Sequence, residues 1–106
     1  MRYDWRQDPA IPRIIEALRA YGAERIILFG SRARGEAEED SDYDLVVVAR
    51  TDRSFIDRLG DVVPFILRAG VRMEVIVYTP EEWALMRRLP FGETVEREGI
   101  VLYEAV

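Results

Sequence analysis

Two short apolar runs, and the residues at their ends, constrain this chain more than anything else in it. Ile26-Ile27-Leu28-Phe29 leads straight into Gly30-Ser31, and Asp42-Tyr43-Asp44 leads straight into Leu45-Val46-Val47-Val48. Apolar runs of this length bounded by turn-forming residues read as strands with a buried face. If both are strands, a Gly-Ser turn leaves the end of one and two aspartates open its neighbour. Side chains alternate along a strand, so Asp42 and Asp44 point to the same face.

Two carboxylates a few ångströms apart repel unless a cation lies between them or one holds a proton. Hard divalent cations such as Mg²⁺ take oxygen ligands, and commonly reach a protein through one or two carboxylates plus the phosphates of a substrate. A glycine-serine turn with Arg32 and Arg34 beside it supplies the phosphate half of that arrangement. The pattern suggests a site for a metal-bound nucleoside triphosphate. Alone, Gly30-Ser31 would be an ordinary strand-to-helix turn, and Arg32 and Arg34 could equally line a solvated loop.

Gly-Ser, ten residues, then Asp-x-Asp resembles the signature of the DNA polymerase β-like nucleotidyltransferases. At ordinary residue frequencies this pattern arises by accident on the order of once in a thousand chains of this length. The extended form, Gly30-Ser31-Arg32-Ala33-Arg34-Gly35 to Ser41-Asp42-Tyr43-Asp44-Leu45, is most similar to the minimal nucleotidyltransferases (MNT). The resemblance implies two-metal nucleotidyl transfer with Asp42 and Asp44 as ligands of both ions, Mg²⁺ with Mn²⁺ as an alternative. It implies that Gly30 and Ser31 hold the β- and γ-phosphates of ATP, with Arg32 or Arg34 adding a bidentate contact. The family also carries a third acidic residue, usually aspartate, on the strand beside the Asp-x-Asp strand. Glu74, within Val71-Arg72-Met73-Glu74-Val75-Ile76-Val77-Tyr78, is the candidate here as catalytic residue and metal ligand. Read from the residues alone, a carboxylate inside an apolar run must be paired or cation-bound. Glu74 could instead sit at a strand edge and pair with Arg72 or Arg25.

The chain has 106 residues, 49% of them hydrophobic and 33% charged, and is expected to form one domain over residues 1–106. Without cysteine or histidine, thiolate and imidazole metal sites are excluded, so any metal must be held by oxygen. The net charge of −5 argues against broad, sequence-independent nucleic-acid binding. No long apolar segment or basic-plus-apolar leader is present, so the expectation is a cytoplasmic protein with no membrane association.

The coarse pattern predicts four strands alternating with helices, an α/β (α+β) layered domain with a mixed sheet of about four strands and helices packed on it. Asp8-Pro9 opens a first helix that Gly22 stops. Strands are expected at 25–29, 43–49, 71–78 and 100–103, with helices over 54–69, after the Thr79-Pro80-Glu81-Glu82 capping box, and over 91–98. Gly60 and Pro64 could kink or break the helix over 54–69. Glu36, Glu38, Glu39 and Asp40 read as an exposed acidic loop, Ser41 as the residue that orients the turn before Asp42, and Tyr43, Trp5 and Trp83 as packing residues.

The predicted core occupies the whole chain, so an acceptor surface is expected from a partner or from a second copy. The family resemblance implies AMP transfer from ATP to a tyrosine of a small helical HEPN toxin, with this chain acting as antitoxin. Two other readings stay open: a non-catalytic module that masks a partner by contact, and nucleotidyl transfer to a small molecule.

Overall fold

The computed structural model describes residues 3–105. A 3-10 turn over Trp5–Gln7 precedes α1 (Ala10–Tyr21), β1 (Ala23–Phe29), α2 (Gly30–Ala33) and β2 (Tyr43–Ala49). There follow α3 (Phe55–Ala69), β3 (Met73–Tyr78), α4 (Pro80–Met86), α5 (Pro90–Glu98) and β4 (Ile100–Glu104). The expected strands and helices are present.

The boundaries have local causes. Asp8 Oδ1 accepts from the Ala10 amide at 2.9 Å at the start of α1, and Gly22 closes that helix at φ 121°, where a side chain would be strained. Ser54 caps α3 by accepting from the Asp57 amide. Thr79 and Glu82 form the expected reciprocal capping box on α4. α3 runs unbroken through Gly60 and Pro64. The carbonyl that Pro64 leaves without a partner belongs to Gly60, and both residues lie on the exposed side of the helix, where water can satisfy it.

β3, β2, β1 and β4 form one sheet in that order. β1 is antiparallel to β2 and to β4, and β2 is parallel to β3. A parallel pair needs a crossover, and α3 supplies it. Alternation then makes two cores. Ile26, Leu28, Leu45, Val47, Val75 and Val77 face α1 and α3, meeting Ile14, Leu18 and Val62. Ile27, Val46, Val48 and Tyr78 face the other way, onto Trp83 of α4 and Val95 of α5.

Two strand starts differ from expectation. β1 begins at Ala23 rather than Arg25, because Ala23 pairs with Ala49 across a register shift. β3 begins at Met73 rather than Val71: Val71 and Arg72 complete the turn after Gly70, and the Arg72 carbonyl accepts from the Tyr43 amide.

Candidate functional site

Register brings the signature residues to one end of three neighbouring strands. Phe29, the last residue of β1, lies opposite Asp44 of β2, and Asp44 lies beside Glu74 of β3. Gly30 therefore begins the turn directly against Asp44. Its φ is 73°, and a Cβ there would collide with the Asp44 carboxylate. Glycine is needed at position 30 to make room for the acid as well as for the turn. α2 is a single turn, so phosphate binding here would rest on individual amides and the Ser31 hydroxyl rather than on a helix dipole, which grows with length.

The three acids are not equivalent. Burial raises the pKa of Asp44, and contact with Glu74, its like charge and that of Asp42 raise it further, against the opposing pull of Arg34. Glu74 is exposed on the edge strand. It does not take the partners considered for it: Arg25 is bound to Glu96 and Glu104, and Arg72 Nε sits 3.2 Å from Asp42 Oδ1. Asp42 is thus drawn toward Arg72, whose other nitrogen donates to the Asp40 carbonyl at 2.7 Å. Among the described residues no three acidic side chains form a ready-made cation cluster. Asp44 and Glu74 adjoin, while Asp42 is held aside by an exposed ion pair. Such pairs are worth about 0–1 kcal/mol, so a cation can compete for Asp42. The donor set is all oxygen, and Asp44 carries like charge that Arg34 offsets only in part, so these residues fit a hard divalent ion.

The two arginines diverge. Arg34 is partly exposed, pairs with Glu36 at 2.7 Å, and is near enough to Asp44 to influence its charge. Arg32 turns inward. It is only 5% exposed and donates to the Ser41 carbonyl at 2.6 and 3.1 Å and to the Glu39 carbonyl at 3.2 Å. Its guanidinium stacks on Tyr43 at 3.9 Å and Tyr3 at 4.9 Å. Both hydroxyls donate to Asp8, which lies 3.8 Å from Arg32. A guanidinium so engaged has no fork left for a phosphate. Arg32 instead anchors the acidic loop that delivers Asp42.

Asp8, Tyr3 and Arg72 were not legible as site supports. Asp8 and Tyr43 are 35 positions apart, and no short motif joins them. The remaining loop expectations hold: Glu36, Glu38, Glu39 and Asp40 are exposed, and Ser41 Oγ accepts from the Glu38 amide at 2.9 Å. Tyr43 and Trp83 are buried, and Trp5 packs against the core.

The nucleotidyltransferase domain model matches residues 11–100. The chain belongs to this family. It is 33% identical over 100 residues to a putative protein adenylyltransferase of Methanocaldococcus jannaschii, covering 92% of this chain and 98% of that protein. Among solved structures, one described as a putative minimal nucleotidyltransferase is similar at TM-score 0.57 and 34% identity, covering 85% of this chain and 86% of that one. A toxin-antitoxin complex with AMP-PNP contains a chain of the same fold at TM-score 0.64 and 22% identity, covering 90% and 73%. The tri-AMPylated Shewanella oneidensis HEPN toxin in complex with MNT antitoxin contains another, at TM-score 0.57 and 19% identity, covering 91% and 71%. The chain is therefore a nucleotidyltransferase, with the minimal form of the fold.

Proposed function

We propose that this nucleotidyltransferase transfers AMP from ATP to a tyrosine hydroxyl of a HEPN-type helical protein and so acts as an antitoxin. The observation that carries the reading is the alignment of the Gly30 turn, Asp44 and Glu74 across three adjacent strands, with Asp42 one residue before β2. The kinship with a protein named as an adenylyltransferase, and the fold shared with chains of toxin-antitoxin complexes, support the choice of donor and acceptor.

Asp42, Asp44 and Glu74 would hold Mg²⁺ or Mn²⁺, which when bound neutralises phosphate charge and lowers the pKa of a coordinated hydroxyl. The chain's own groups do the rest. Gly30 and Ser31 place amides and a hydroxyl at the end of β1, where a triphosphate would lie beside Asp44. Arg34, on the same turn and exposed, offers a bidentate fork to the phosphates once it exchanges its Glu36 partner. Glu74, exposed on the edge strand, is open to an acceptor arriving from solvent. Glu74 is exposed and Asp44 half-buried, so a protein acceptor can reach this end of the sheet from solvent.

The test uses ATP labelled at the α- or the γ-phosphate, Mg²⁺, and a HEPN-type partner. Label should reach the partner only from the α position, and Glu74→Gln should slow that transfer by about 10²-fold while ATP affinity changes little. Transfer of γ-label, or no label at all, would sink the proposed activity. Unchanged transfer in the Glu74 variant would remove that residue from the site.

A further inference from the structure

α3 buries Arg58, Val62 and Ala69, and the opposite side of a surface helix is ordinarily polar. Here it is not. Ile56, Val63 and Leu67 are 70%, 45% and 75% exposed. At about 100° per residue they fall with Gly60 on one stripe opposite the buried residues. Phe55 and Leu59 widen the stripe along one flank and are exposed too. Single exposed apolar residues need no explanation, but a contiguous stripe along a helix marks an interaction surface.

Gly60 sharpens this reading. Its φ is not positive, and a Cβ added there would meet nothing within 4 Å. Apart from Pro64 four residues on, whose ring crowds the Gly60 carbonyl, nothing among the described residues calls for glycine, although glycine weakens a helix interior relative to alanine. A missing side chain in the middle of an apolar stripe lets a second helix approach closely, since interaxial distance follows the side chains at the contact.

The charges select the occupant. Asp57 lies in the first turn of α3 and Arg68 in the last, both exposed and both on the flank away from Phe55 and Leu59. When two copies of α3 cross antiparallel about Gly60 and Val63, Ile56 of each meets Leu67 of the other. Asp57 of each then meets Arg68 of the other, and the helix dipoles oppose favourably. A two-fold interface must be complementary to itself, and this face is. We propose that two copies of this chain pair through α3 in this antiparallel, two-fold arrangement. α3 covers the sheet face opposite the one bearing Asp44 and Glu74, so pairing leaves those two acids open in both copies, while Leu67 at the end of the stripe lines the same depression as Asp42.

Sedimentation of the full chain over a concentration series should show a monomer–dimer equilibrium. Ile56→Glu and Val63→Glu should each weaken the dimer by about tenfold or more with the circular dichroism unchanged. Asp57→Arg or Arg68→Asp alone should weaken it, and the two together in one chain should restore it, because the pairs re-form with their signs exchanged. Damage to the fold would not be rescued that way. Gly60→Ala should weaken the dimer, yet raise the thermal midpoint when placed in the monomeric Ile56→Glu background. A chain that is monomeric at every concentration would overturn the proposal. So would a dimer indifferent to Val63→Glu, a double reversal no better than either single, or a monomer whose α3 is covered only by a HEPN-type partner.

Discussion

Asp44 stands at the centre of the candidate site, with Gly30 on one side and Glu74 on the other. Its carboxyl binds a proton more tightly in the folded state than an ordinary aspartate, first through burial and then through Glu74 and Asp42. That preference favours the fold at low pH and is lost as pH rises through the folded-state value, leaving net repulsion at neutral pH. Asp44→Asn should therefore stabilise the fold at pH 7 without metal, by no more than about 1 kcal/mol since the site is partly solvated, and the gain is read as a higher thermal midpoint. The gain should vanish in acid, and nucleotidyl transfer should fall by about 10²-fold or more. A destabilised variant, or one with near-normal transfer, would contradict this account. Arg32 makes the opposite case, a buried cation with every arm engaged. Arg32→Leu strips the carbonyls of Ser41 and Glu39 of their donor and leaves Asp8 with one partner fewer, and should cost about 3 kcal/mol. Arg32→Lys should recover little of that, because an ammonium cannot bridge two carbonyls while stacking on Tyr43. Urea unfolding of both variants measures the difference.

Among the elements, α3, β3 and α4 are tied together by one side chain. Arg58 of α3 is buried and donates to the Val77 carbonyl of β3 at 3.2 Å and to both carboxylate oxygens of Glu82 in α4. The Arg58 guanidinium holds the Glu82 carboxyl below its usual range, against the effect of burial and with help from the Thr79 amide. A depressed carboxylate stabilises the fold above its unfolded pKa and loses that contribution as pH falls through the folded value. Glu82→Gln should cost about 1 kcal/mol at pH 7, allowing for partial solvent screening. In strong acid, where the parent glutamate is protonated, the cost should disappear. Equal destabilisation at both pH values would mean that something other than the charged pair with Arg58 carries the contribution. Thr79 itself caps within its own segment, so the start of α4 was legible from four consecutive residues. The salt bridge beneath it was not.

For the whole molecule, ligand linkage joins the site to stability. Under the proposed function, ATP with Mg²⁺ bridged to Asp42 and Asp44 would bind the native state alone, and at a hundredfold excess over its dissociation constant should add about 2.7 kcal/mol. ATP with a chelator should add far less, and equal thermal shifts in the two conditions would count against carboxylate-held metal. The sequence by itself determined the elements and the identity of the chemistry. Alternation, capping residues and the Gly30-Ser31 to Asp42-x-Asp44 spacing are local or carried by a single hairpin-like connection, and local patterns survive being read in one dimension. Only the tertiary structure decided which groups stand together. Glu74 reaches Asp44 because α3 returns β3 parallel to β2 in one register, and a shift of one residue would turn it to the opposite face. Arg72 is drawn to Asp42, and Arg32 turns inward onto Tyr43, Tyr3 and Asp8 rather than outward to a phosphate. An arginine beside a phosphate-binding turn and one beneath a loop look alike in sequence; burial and the partners that fill its hydrogen bonds separate them.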